Sequence, residues 1–179
     1  MNNLINIQGL HFASLISEEQ IASAVKRLAG QINKDYKGRE LLVIGVLSGS
    51  VIFMADLIRE INIPMTIDFI KTTSYVGTKS TGNVSIQKMQ EYRIEGKDVL
   101  LVEDILDTGN TIYKLLEILK EQKPATLSTV TLLFKPTELK HNIRPNYVGF
   151  EIPSIFVVGY GMDYNGEGRN LKHIYAIKH

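Results

Sequence analysis

The stretch Val99-Leu100-Leu101-Val102-Glu103-Asp104-Ile105-Leu106-Asp107-Thr108-Gly109-Asn110-Thr111 decides the fold of this chain. Four consecutive apolar residues bounded by polar ones suit a parallel strand covered on both faces. The strand reads as ending at Val102 and emptying into two adjacent carboxylates, then a third at Asp107, then a turn that opens a helix. In open α/β sheets, ligands collect outside the carboxyl ends of such strands. Thr108-Gly109-Asn110-Thr111 offers backbone N–H groups and hydroxyls at the helix start, an arrangement that attracts phosphate. Asp, Thr and Asn are also favoured helix caps. Capping does not explain Glu103 beside Asp104, because like charges that close repel. Acids for a diol and a metal, followed by a phosphate cradle, predict a site for a phosphorylated sugar.

Working outward, Ser17 with Gln20 three residues later forms a capping-box pattern, and Ile21, Val25 and Leu28 follow at helical spacing. Residues 41–47 are an apolar run of strand length that breaks at Ser48-Gly49-Ser50, and residues 51–61 suit a helix packed on a sheet. Residues 65–71 alternate around Ile67 and Phe69 as a strand. Residues 72–83 hold little apolar material and read as a long mobile loop, of a length often used for lids. Residues 84–90 alternate like a strand, 111–122 are helical by pattern, and 126–134 form a β-rich run ending at Lys135-Pro136. Short strands are predicted over 147–152, 155–160 and 173–177. Strands alternating with helices give an α/β class with a mainly parallel central sheet flanked by helices. The chain reads as one domain over 1–179, with a small hood subdomain formed by its two ends.

The 179-residue chain is long enough to bury a substantial core. Its formal net charge of +1, with no basic block, argues against nucleic acid as a partner. There is no cysteine, which removes disulfides, thiolate metal sites and a cysteine nucleophile. No apolar run is long enough for a bilayer, and residues 1–10 lack the pattern of a signal peptide, so the expected setting is cytoplasmic and away from membranes. Several motif readings fail. Gly77-Thr78-Lys79-Ser80 lacks the Gly-Lys pair of a Walker loop. Gly159-Tyr160-Gly161 begins a dinucleotide fingerprint, but the third glycine, Gly166, comes too late. Leu47-Ser48-Gly49-Ser50 lacks nucleophile-elbow spacing, and the four histidines are scattered.

Together these pieces resemble the purine phosphoribosyltransferases of the hypoxanthine(-guanine) type, from Leu41 to Leu171. The run Val99 to Thr111 is similar to the family's phosphoribosyl-diphosphate signature. Leu47-Ser48-Gly49-Ser50 stands where the family has its diphosphate loop, and Ser74-Tyr75 at the head of its mobile catalytic loop. Phe134-Lys135-Pro136 and the segment from Phe156 to Tyr164 look like its purine-binding parts. The resemblance implies a type I phosphoribosyltransferase fold and transfer of a phosphoribosyl group from 5-phosphoribosyl 1-diphosphate to a 6-oxopurine. Mg2+ is the implied cofactor, purine salvage the implied setting, and a homodimer or homotetramer the implied assembly.

The roles implied by resemblance are specific. Asp107 is the acid–base residue at purine N7, expected among other acids, and belongs with Thr108, Gly109, Asn110 and Thr111 to the 5′-phosphate site. Glu103 and Asp104 serve ribose and magnesium, with Asp163 a further metal carboxylate. Ser48, Gly49 and Arg169 hold diphosphate, while Lys135, Phe156 and Val157 hold the purine. Two positions depart from the pattern. Ser48 stands in place of a basic residue, leaving the loop's N–H groups and an unusual Leu47–Ser48 peptide to bind. Gly168 stands in place of an aromatic one, which predicts a looser loop around Arg169. The alternatives are another base preference, such as xanthine, or a non-catalytic regulator that binds phosphoribosyl diphosphate.

Overall fold

A computed structural model describes residues 4–74, 84–88 and 93–178. The capping box predicted at Ser17 and Gln20 is formed and starts helix α1 (Glu18–Asp35). Strand β3 (Leu41–Leu47), helix α2 (Val51–Glu60) and strand β7 (Thr126–Phe134) fall where the apolar runs place them. Strand β4 (Met65–Ser74) extends three residues into the predicted loop, because residues 72–74 pair with strand β5 (Val84–Lys88). Backbone pairing there outweighs the polar composition that read as loop. Strand β6 (Asp98–Leu106) leads into helix α3 (Asn110–Glu121), and strand β8 (Tyr147–Glu151) follows β7.

The main sheet has the order β5-β4-β3-β6-β7-β8, with β4, β3, β6, β7 and β8 mutually parallel and β5 antiparallel at the edge. Helices α1 and α2 cover one face, packing Leu28, Ile32, Phe53 and Leu57 on Leu41, Val43, Leu100 and Val102. Helix α3 covers the other with Ile112, Leu115 and Leu119 against Leu42, Ile44, Val99 and Leu101. Alternate residues of β3 and β6 thus serve opposite faces, which is why both strands read as continuous apolar runs. The chain runs from β3 outward to β4 and β5, then crosses to β6 on the other side of β3. The β3 and β6 carboxyl ends therefore flank a topological switch point, where such sheets bind ligands.

A second sheet, order β1-β2-β10-β9, comes from the ends of the chain: β1 (Leu4–Ile7), β2 (Leu10–Ile16), β9 (Val157–Val158) and β10 (Ile174–Ile177). Its first hairpin was not predicted from sequence. Gln8 and Gly9 form a two-residue turn with φ of 48° and 85°, pairing Ile7 with Leu10. Positive φ at both positions is the geometry that matches the twist of a hairpin. Strand β9 keeps only two residues of the predicted 155–160 run. Beyond it Gly159, Tyr160 and Gly161 all take positive φ, which ends the ladder. Among the described residues no helix is long and apolar enough to cross a membrane.

Candidate functional site

Strand β6 continues past Val102 because β7 keeps pairing with it, through Ile105 with Leu133 and Leu106 with Phe134. Glu103 and Asp104 therefore lie inside the strand rather than beyond its end, and they point to opposite faces. Glu103 lines an 80 Å³ cavity with residues 107–112, which brings Asp107, Thr108, Gly109, Asn110 and Thr111 around one space. Gly109 caps α3 with φ of 79°, a left-handed conformation that suits glycine, and the first N–H groups of the helix lack intrahelical partners.

Asp104 lines a different pocket, about 200 Å³, with Ile105, Asp107, Lys135, Phe156, Val157, Met162 and Asp163. Lys135 is buried, and its Nζ donates to Asp107 Oδ2 at 2.8 Å. Asp107, expected among other acids, is thus paired with a cation. Phe156 is 43% exposed, unlike a strand-core residue, and meets Tyr164 edge-on with ring centroids 5.8 Å apart. Ile105 and Met162 are walls that sequence reasoning did not assign.

The third group sits against Asp104. A Cβ on Gly49 would lie 1.8 Å from Asp104 Oδ2, and one on Gly161 would lie 2.1 Å from the Gly49 carbonyl oxygen. Only glycine permits these two backbones and one carboxylate to stack so closely. The Leu47–Ser48 peptide in this loop is cis, and Ser48 is exposed. Arg169 is tied in on several sides. Its Nη1 donates to Gly161 O at 2.6 Å, its Nη2 pairs with Asp163 Oδ1, and its carbonyl accepts from Gly161 N–H at 2.9 Å. At Gly168, where a looser loop is expected, φ is 102° and an added Cβ would lie 3.2 Å from Ile7 Cδ1 and 3.6 Å from Val158 Cβ. The alternating glycines of 159–161, rejected as a dinucleotide fingerprint, were the available signal for this close approach. Ser74 ends β4, whereas Tyr75 and the remainder of the predicted 72–83 lid, residues 75–83, lie outside the described residues.

Residues 13–165 match the family described as Phosphoribosyl transferase domain. The hypoxanthine-guanine phosphoribosyltransferase of Staphylococcus aureus is 47% identical over 165 residues, 92% of each chain. That of Staphylococcus epidermidis is 48% identical over the same share. The chain belongs to the hypoxanthine-guanine phosphoribosyltransferase family. A crystal structure of the Bacillus anthracis hypoxanthine-guanine phosphoribosyltransferase superposes with a TM-score of 0.86 at 45% identity, covering 92% of this chain and 97% of that one. The main sheet, its flanking helices and the hood are thus those of a type I phosphoribosyltransferase.

Burial is the first cause that raises the pKa of both β6 acids in this phosphoribosyltransferase. Glu103 is held well above the usual carboxylate range, first by burial and then by the neighbouring Asp104 charge. Its Oε2 is shielded and has no hydrogen-bond partner among the described residues. Burial also raises Asp104. The Ile105 N–H, 2.9 Å from Oδ1, and the Arg169 charge oppose that shift, while Asp163 adds to it. A carboxyl raised in the folded state contributes stability that is complete below its ordinary pKa and lost as pH climbs through the folded value. Glu103→Gln cannot ionise. In metal-free protein its melting temperature should exceed that of wild type at about pH 8, with the gap closing toward about pH 4. A gap constant across that range would show that ionisation of Glu103 is not the cause.

The stack of Gly49 on Asp104 yields a second expectation. Asp104 is short, and its other oxygen is engaged by Ile105, so a methyl at position 49 must displace the loop or the acid. Displacements of about 1 Å at a reacting centre cost roughly 10²-fold in rate. Gly49→Ala should lose about that much in kcat/KM while its unfolding midpoint changes little. Unaltered steady-state kinetics would mean the contact relaxes without consequence.

Proposed function

We propose that the chain transfers the 5-phosphoribosyl group of phosphoribosyl diphosphate to hypoxanthine and guanine, releasing diphosphate. One observation carries the choice of base: a buried ammonium and a carboxylate 2.8 Å apart in a 200 Å³ pocket walled by Phe156 and Val157. A 6-oxopurine protonated at N7 presents O6, an acceptor, beside N7–H, a donor, along one edge. Lys135 meets the first and Asp107 the second. Phe156 stacks on the ring, and the Val157 backbone meets its far edge.

As N9 bonds to the anomeric carbon, the bond from that carbon to diphosphate breaks and Asp107 takes the N7 proton, which keeps the base nucleophilic. Arg169 and the N–H groups of Ser48 and Gly49 receive the charge that grows on diphosphate. The cradle from Asp107 to Thr111 takes the 5′-phosphate. Asp104 and Asp163 are hard oxygen donors lining the same pocket, and they fit a magnesium ion that keeps several waters and binds mainly through substrate oxygens. When bound, magnesium supplies positive charge beside the departing diphosphate. A cytoplasmic homodimer or homotetramer acting in purine salvage is the accompanying reading.

A steady-state assay with phosphoribosyl diphosphate, Mg2+ and hypoxanthine, guanine or xanthine in turn tests this directly. Hypoxanthine and guanine should yield equimolar nucleoside monophosphate and diphosphate. Tight binding of phosphoribosyl diphosphate without turnover of any base would instead establish a regulator, and preferred turnover of xanthine would reassign the base.

A further inference from the structure

Residues 139–143 follow the 3-10 turn Pro136–Glu138 and pack against the start of α3. Lys140 N–H donates to Thr108 O at 3.0 Å. A Cβ on Gly109 would lie 3.0 Å from Ile143 Cδ1 and 3.1 Å from Leu139 Cδ2, so these side chains back the left-handed turn. His141 Nε2 lies 2.7 Å from Asn110 Oδ1. The imidazole also stacks on Tyr113, ring centroids 4.3 Å apart and planes 8° from parallel. Tyr113 sits three residues after Asn110 on α3, so ring and amide share a helix face and place the imidazole against both.

The two ends of an asparagine amide have opposite character: Oδ1 accepts and would repel a phosphate oxygen, whereas Nδ2 donates. An imidazole N–H on Oδ1 settles which end is left for an anion. We propose that His141 is a positioning residue for the 5′-phosphate, its Nε2–H holding Asn110 so that the amide NH2 is presented to the phosphate. The inference rests on residues 107–111 being the 5′-phosphate site. It adds to that site a side chain some thirty residues beyond the motif, held in place by the Tyr113 stack.

Titration calorimetry with inosine 5′-monophosphate, and separately with free diphosphate, tests it in His141→Phe, His141→Gln and Asn110→Ala proteins. Phenylalanine keeps a stacking ring without a donor, whereas glutamine keeps a donor without the ring. One neutral hydrogen bond corresponds to about threefold to tenfold in affinity. His141→Phe should lose that much for the nucleotide and nothing for diphosphate, His141→Gln should recover most of it, and His141→Phe should cost nothing further in the Asn110→Ala background. A merely structural role would weaken both ligands together and persist without Asn110, and either result overturns the inference. So does a loss retained in His141→Gln, or full affinity in His141→Phe when Asn110→Ala is weakened. Nucleotide affinity unaffected by Asn110→Ala would overturn the phosphate reading of the cradle itself.

Discussion

Asp107→Asn should lower kcat by about 10²–10⁴-fold, the range typical of removing a general acid–base group. Asparagine matches aspartate in size and still offers an oxygen to Lys135 Nζ, now 2.8 Å from Asp107 Oδ2, so the pocket keeps its shape. What it loses is the ability to accept the N7 proton as N9 bonds to the sugar. Phosphoribosyl diphosphate should bind as before, because Gly49, Asp104 and the N–H groups at the start of α3 are untouched. Rapid-quench single turnovers together with calorimetry separate the two effects. A variant that loses ligand binding but keeps near-normal single-turnover chemistry would place Asp107 in binding rather than proton transfer.

Adenine should be rejected relative to hypoxanthine by on the order of 10⁴-fold in kcat/KM, as expected where a buried polar group is left facing a mismatched partner. Lys135 is 6% exposed and carries only donors. A 6-oxo group accepts from it, whereas a 6-amino group sets donor against donor. Competition assays with the two bases at equal concentration measure the ratio. Comparable kcat/KM values for adenine and hypoxanthine would show that Lys135 does not read the 6-position.

The regular elements were legible because their local signals agree with their final environment. The capping box at Ser17 and the apolar runs of β3 and β7 are satisfied by short-range bonds and by burial on both faces of a sheet. The N-terminal hairpin was not legible. Its burial depends on Phe12 and Ile7 meeting Val158 and Tyr175, more than 140 residues later. The position of Glu103 and Asp104 within β6 was equally hidden, since β7 pairing, not composition, carries the strand on to Leu106. The ties of the loop beside Gly168 were hidden too: the Gly161 N–H donates to the Arg169 carbonyl, and the Arg169 guanidinium donates to the Gly161 carbonyl.

Sequence alone determined which residue types the candidate site is built from: carboxylates, a glycine-bearing helix start, a lysine after a strand and an aromatic before a glycine-rich turn. Their order and spacing identify the family because the chemistry of a phosphorylated sugar and a purine demands those groups. Only the tertiary structure decided how they are shared out. Strand alternation sends Glu103 to the cavity at the start of α3 and Asp104 to the pocket of Lys135 and Phe156, although they are neighbours in the chain. The switch in strand order between the parallel neighbours β3 and β6 brings Gly49 against Asp104, and the turn after β9 brings Gly161 onto Gly49. The β7 register sets Lys135 against Asp107, and the strap after it sets His141 against Asn110. These juxtapositions arise from strand pairing and packing between distant segments, whose energies no local pattern encodes.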